Sequence, residues 1–209
     1  FPFLEGKKKL VAISGGVDSV VLTHLLQKLN YNISLAHCNF QLREKESDLD
    51  EQFIIKLGDK FNVDTFTIKF STREYQDKNK LSTQLAAREL RYNWFYKLLE
   101  EQKIDYVATA HHSNDNLETF LINLTRGTGL EGLTGIPPIN GKIIRPLLKL
   151  SREEILKYAT LNNIEWREDV SNSETKYIRN KIRHNIVPLL KEINPNLINS
   201  FYNTSTFLK

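Results

Sequence analysis

With 209 residues, 40% of them hydrophobic, and a formal charge of +4, the chain can build one substantial α/β core with at most a small appendage. The mildly basic balance permits a nucleic-acid partner without requiring one. Cys38 is the only cysteine, so an internal disulfide is excluded. No apolar run is long enough to span a bilayer and no secretion signal is read, which points to a cytoplasmic protein with no membrane partner.

Residues 10–13 read as a buried strand, and Val20, Val21, Leu25 and Leu29 recur at helical spacing behind it. Between them lies Ser14-Gly15-Gly16-Val17-Asp18-Ser19. Two adjacent glycines allow a sharp turn and close approach of a ligand, and the free N–H groups of the helix start favour an anion, most often phosphate. Asp18 would repel phosphate unless a divalent cation lay between them, and Mg²⁺ is the natural choice. By composition alone, the same residues fit an ordinary strand-to-helix turn with Asp18 at the helix start. The lysine of a P-loop is missing, so that machine is excluded.

Downstream, residues 33–40 read as a second buried strand, 42–57 as a helix with Leu49, Phe53, Ile54 and Leu57 on one face, and 63–70 as a third strand. A polar connection, 71–80, leads to a long helix at 82–102. A fourth strand at 106–110 is followed by a helix at 114–125. Residues 127–132 (GTGLEG) match a dinucleotide-binding pattern, but they follow a helix rather than a strand and are read as a mobile glycine loop. A short strand at 143–148, a helix capped by Ser151 with Glu154, an acidic loop at 166–175 and a basic helix at 177–193 complete the core. Beyond Pro195 the chain is polar and thin in core residues. Strands alternating with helices predict an α/β fold: a parallel, Rossmann-like sheet with helices on both faces, followed by a helical segment. Such sheets bind ligands at the carboxyl ends of their strands, and Ser14, His37 and His111 each stand just past one.

The segment Thr109-Ala110-His111-His112-Ser113-Asn114-Asp115 leaves a strand and opens a helix. Singly, His111 reads as a loop-ordering histidine, Asp115 as a helix-dipole partner and Glu118 as a solvated residue. Together, at the edge that holds the glycine turn, they make a polar pocket. Arg88 and Arg91 share a helix face, as do Arg179 and Arg183. Each pair fits either a solvated basic surface or phosphate binding, and Arg126 has the same two readings.

SGGVDS (14–19) resembles the pyrophosphate loop of the N-type ATP pyrophosphatases. HCNFQLREKESDLDEQF (37–53), AARELRYNWF (86–95), TAHHSNDNLETFL (109–121), LTRGTGLEGLTGI (124–136), IIRPLLKLSREEI (143–155), WREDVSN (166–172) and YIRNKIRHNIVPLL (177–190) follow in the order seen in the tRNA(Ile)-lysidine synthetase family. The resemblance implies a catalytic domain over residues 1–195, with 196–209 opening a C-terminal extension or linker. It implies ATP-dependent ligation of lysine to C2 of the wobble cytidine in tRNA(Ile) with a CAU anticodon, through an adenylated tRNA, which changes codon specificity from AUG to AUA. ATP and Mg²⁺ would then be bound by Ser14, Gly15, Gly16, Val17, Asp18, Ser19, His37 and Arg126, with Asp18 the metal ligand. Asp18, Arg88, Asp115 and Arg183 would be catalytic, and His111, Asp115, Glu118, Arg91 and Arg179 would bind the tRNA and free L-lysine. A homodimer is compatible with this reading. A tRNA-thiolating relative, a small-molecule ligase such as an NAD or GMP synthetase, and a non-catalytic RNA- or nucleotide-binding module are the alternatives. The lone Cys38 argues against the first, and the later motifs do not resemble the second.

Overall fold

The structure, a computed structural model, describes residues 4–43, 45–168 and 178–208. Residues 169–177, which hold the end of the WREDVSN segment and the expected start of the basic helix, lie outside the described residues. The sheet has six strands in the order β3-β2-β1-β4-β6-β5, where β1 is Lys9–Ala12, β2 Ile33–Asn39, β3 Thr65–Lys69, β4 Tyr106–Ala108, β5 Ile139–Asn140 and β6 Ile143–Ile144. All neighbours are parallel except β5 and β6. The chain therefore runs out from β1 to one edge, returns, and builds the other side. That places the carboxyl ends of β1 and β4 side by side.

Alternation along the strands decides what each face packs against. Val11, Leu35, Ala108 and Ile144 point to one side and join Val20, Val21 and Leu22 of α1 (Val17–Lys28), Ile54 and Leu57 of α2 (Lys45–Phe61), and Ile155 and Ala159 of a later helix, Arg152–Leu161. Their neighbours Leu10, Ala36, Val107 and Ile143 point the other way, onto Phe95, Leu98 and Leu99 of a helix at Thr83–Glu101. Both faces are covered, as a parallel sheet requires.

Several elements depart from the sequence expectation. The polar connection contains a helix, α3 (Thr72–Asn79), which packs along α4 (Thr83–Glu101). Its one buried residue, Thr72, donates its hydroxyl to the Phe40 carbonyl, so no apolar periodicity announced it. The edge hairpin β5–β6 turns at Gly141-Lys142 with Gly141, the first loop residue, at φ +56, a Gly-X hairpin signal that is present in the sequence. The glycine loop is partly folded: α5 (Ser113–Arg126) is followed by a helical turn, α6 (Leu130–Leu133), tied back where Asn123 donates to the Gly132 carbonyl.

The C-terminal helices form, with α5, a third cluster beside the sheet, while the helix at Arg152–Leu161 belongs to the first. α7 (Arg152–Leu161) carries the expected capping box, with Ser151 Oγ accepting from Glu154 N and Ser151 N donating to Glu154 Oε2. The basic helix is broken into α8 (Ile178–Lys181), a π-helical turn at Ile182–Ile186 and α9 (Val187–Ile193). Pro188 has no N–H for the carbonyl four residues back, which accounts for the shifted register just before it. α10 (Leu197–Phe207) buries Ile198 and Phe201 against Leu117 and Ile122 of α5 and Ile182 and Val187 of the basic segment. Two well-placed apolar residues suffice here, where the sequence looked thin. The Phe120 and Phe201 rings lie 5.2 Å apart. Phe201→Ala is expected to cost about 3–5 kcal/mol in urea unfolding and to expose the α10 amides to exchange first. Unchanged stability would show that α10 is not part of the cooperative core.

Candidate active site

The glycine turn bridges β1 and α1. Gly15 sits at φ +96, a conformation side chains disfavour, and Gly16 is the N-cap of α1. The turn is braced from inside: Ser19 Oγ accepts from Ser14 N at 3.2 Å and donates to the Gly16 carbonyl at 2.9 Å. Val17 is buried in the core, so its contribution to a ligand is its amide, which has no intrahelical acceptor in a first turn. From outside, the Arg167 N–H donates to the Gly15 carbonyl at 3.0 Å. The Arg167 side chain pairs with Asp50 through Nε and with Glu46 at 2.7 Å, and Asp50 also takes Arg43 at 2.8 Å. Sequence reasoning missed this brace, because its partners stand more than a hundred positions apart. His37 is buried beside the same turn. Its Nδ1 donates to the Ile13 carbonyl at 3.0 Å, and burial holds the ring below its usual pKa.

Asp18 turns away from the brace and toward the end of β4. Its Oδ2 takes Arg152 Nη1 at 3.1 Å and lies 3.7 Å from His112 Nε2. Its Oδ1 is buried with no partner among the described residues. His112 Nε2 is in turn 3.5 Å from Asp115 Oδ2, which also accepts the His112 backbone N–H at 3.0 Å. Burial alone would raise the Asp115 pKa. The two histidines, that backbone bond and Arg183 outweigh it and hold Asp115 below the usual carboxylate range. The order β1–β4 in the sheet thus brings Asp18 and Asp115 to one histidine. His112 had been read only as a neighbour of His111, and its adjacency to the glycine turn is set by strand order alone.

One turn further along α5, Glu118 is almost completely enclosed, 2% exposed, and carries a fork-to-fork pair with Arg183 at 2.6 and 2.9 Å. Arg183 also reaches Asp115 at 3.2 Å, and Arg179 lies 3.5 Å from Glu118 while donating to Thr119. Two arginines and two acids are thus brought together, where the sequence predicts a solvated or phosphate-binding face for the arginines. Both carboxylates are fully engaged, but Asp115, at 14% side-chain exposure against 2% for Glu118, is the more accessible. His111 bonds Thr109 Oγ1 through Nδ1 at 2.9 Å, and its pKa is pushed down to about 4 by burial against the counter-pull of Asp115.

The other arginines are dispersed. Arg88 stacks on Tyr92 and Arg91 on Phe40, both in the half of α4 that reaches the same sheet edge, with Arg91 near His37. Neither has a bond to Asp18 or Asp115. Arg126 ends α5 and is exposed. A 14-residue helix is about 20 Å long, so Arg126 stands far from the Ser113 end that meets the glycine turn. Among the described residues no three His, Cys, Asp or Glu side chains converge on a metal-sized point, and no helix is long and apolar enough to cross a membrane.

His111 makes a pH signature. The unfolded chain protonates it near 6.5 and the folded one only near 4, so its contribution to stability is present above pH 6.5 and is lost as pH falls toward 4. The shift corresponds to about 3 kcal/mol. His111→Gln is expected to flatten the fall in urea stability across that window. Equal pH slopes in variant and parent would mean that His111 titrates normally.

Comparison with known proteins agrees with this geometry. The sequence profile described as the PP-loop domain matches residues 3–190. A tRNA(Ile)-lysidine synthase from Bacteroides thetaiotaomicron is 48% identical over 206 residues, covering 99% of this chain and 48% of that protein. One from Porphyromonas gingivalis is 49% identical over 197 residues, covering 93% and 43%. The chain thus spans about half the length of these relatives. Among solved structures, the U34-tRNA thiolase of Methanococcus maripaludis superposes with a TM-score of 0.76 at 19% identity, over 97% of this chain and 72% of that one. The ammonia-dependent NAD synthetase of Campylobacter jejuni gives 0.58 at 16% identity, over 99% and 90%. At such identities these two likenesses speak to fold alone. With its glycine turn, its β1–β4 edge and a profile match over most of its length, the chain belongs to the PP-loop domain family, whose members use ATP.

Proposed function

We propose that this chain is the catalytic part of a tRNA(Ile)-lysidine synthetase, joining L-lysine to C2 of the wobble cytidine of tRNA(Ile) with a CAU anticodon. The observation that carries the reading is the single histidine, His112, shared between Asp18 of the glycine turn and Asp115 of the acidic cluster at 3.7 and 3.5 Å. Nucleotide activation and amine capture are then adjacent. The relatives over 40% identical bear the same name.

In the first step, O2 of the cytidine attacks the α-phosphate of ATP and pyrophosphate leaves. The first-turn amides of α1 and the Ser14 and Ser19 hydroxyls cradle the phosphates. The unpartnered Asp18 Oδ1 would hold a Mg²⁺ ion, which would supply neutralisation of the triphosphate's charge. Arg88 and Arg91, exposed at the same edge, would meet RNA or phosphate oxygens. In the second step the ε-amine of lysine adds to C2 and AMP departs. Free lysine is deprotonated in only about 1 of 2,500 molecules at pH 7. The site must therefore bind an ammonium and then remove its proton. Ionised Asp115 attracts the ammonium, while His112 beside it can receive a proton. Glu118 and Arg179 keep Arg183 in place, and Arg183 limits how strongly Asp115 holds the cation.

A sulfur-transferring reading is disfavoured by chemistry. The thiolase of similar fold was solved with a 4Fe–4S cluster, and such clusters need several cysteine thiolates. Here Cys38 stands alone, its thiol pushed up to about 12 by burial. Asp18→Ala is expected to leave folding nearly unchanged and to reduce tRNA-dependent AMP formation about 10²–10³-fold. Wild-type rates would reduce Asp18 to a helix-start residue. Asp115→Asn is expected to raise the lysine requirement while adenylation survives, so that adenylated tRNA accumulates in a single turnover before lysine is added. A block of adenylation with lysine dependence unchanged would assign Asp115 to ATP instead.

A further inference from the structure

Arg145 was not singled out by its sequence, and no step above uses it. It stands directly after β6 at the carboxyl edge of the sheet, 7% exposed. Its Nη1 donates to the Pro137 carbonyl at 2.6 Å, its backbone N–H donates to the Pro138 carbonyl, and its Nε is buried with no partner among the described residues. No carboxylate among the described residues pairs with it. The charges that bear on it come from α4: Arg88, which repels, and the Tyr92 hydroxyl. Burial and Arg88 push its pKa below the usual arginine value. On its other side, its charge reaches His111, which is neutral at pH 7.

A buried guanidinium with one neutral acceptor and a second arginine nearby is costly in isolation. The half-buried cations near this edge have compensating acids: Arg183 has Glu118 and Asp115, and Arg167 has Asp50 and Glu46. The uncompensated charge is stabilised when an anion arrives. We propose that Arg145, together with Arg88, forms a second anion subsite, separate from the glycine turn, that takes a phosphate group of the substrate. β6 lies two strands from β1, a lateral separation of about 10 Å. At that distance both a phosphodiester beside the reacting nucleotide and a phosphate of ATP are within reach. The planar, forked guanidinium suits either.

The inference rests on the reading of an ATP- and RNA-using site, and its test reads binding rather than turnover. Arg145→Met keeps the volume of the stem and removes the charge, and Arg145→Lys keeps the charge without the fork. Equilibrium binding of a non-hydrolysable ATP analogue and of an anticodon stem-loop RNA is measured against salt, with urea unfolding of each variant alongside. Arg145→Met is expected to weaken one ligand roughly tenfold without lowering the unfolding midpoint, and Arg145→Lys to retain part of that affinity. Loss of RNA affinity with a salt slope shallower by about one assigns the site to an RNA phosphate. Loss of analogue affinity with RNA binding unchanged assigns it to ATP. If both affinities stay within about twofold of the parent, or if binding falls only as the protein unfolds, Arg145 merely holds the Pro137 carbonyl and the proposal fails. Should lysine transfer prove absent while Arg145→Met still weakens phosphate binding, the subsite stands and the lysidine reading falls.

Discussion

The bidentate pair between Arg183 and Glu118 is the interaction on which the arrangement of the site depends. Glu118 is enclosed by α5, α8 and the π-helical turn, and an enclosed carboxylate without a partner costs several kcal/mol. The pair is not a source of net stability, since two desolvated charges roughly offset what they gain from each other. Its effect is geometric. It allows only one docking of the basic segment on α5, and that docking carries Arg183 to Asp115. The π-helical turn serves the same end, because it sets the register at which Arg183, rather than a neighbour, faces inward.

From that anchor, acids and bases alternate back to the glycine turn: Glu118, Arg183, Asp115, His112, Asp18 and Arg152, each within 3.7 Å of the next. Such a chain suits a reaction that must handle a polyanion and an ammonium in succession. Asp115 stays ionised because cations flank it, and it is held less tightly than Glu118. Arg145 lies outside this alternation, and its unpaired charge marks a different use of the same edge.

Much of the fold was legible in the sequence because local physics dictated it. Buried four- to seven-residue strands, helical spacing behind the glycine turn and the Ser151–Glu154 box each appear where their patterns put them. α3 and α10 were missed since each buries only one to three residues, too few for a periodic signal. The β5–β6 hairpin carried a glycine at the first loop position, Gly141, a cue that went unread. In the site, the glycine turn, His111, Asp115, Glu118 and Arg183 could be named because helix spacing and strand ends group them. His112, Arg152, Arg167 and Arg145 could not, since their partners are set by strand order and by segments far apart in the chain. Arg126, expected at the nucleotide, stands exposed at the end of α5 opposite Ser113.

The account's central claim is that activation by ATP and capture of a lysine amine occur in one site. The most direct measurement is incorporation of labelled lysine into tRNA(Ile) bearing a CAU anticodon, with AMP release followed in the same reaction. The account predicts lysine transfer that requires ATP, with one AMP formed per lysine incorporated. AMP release on that tRNA with no lysine transferred at any lysine concentration would contradict it.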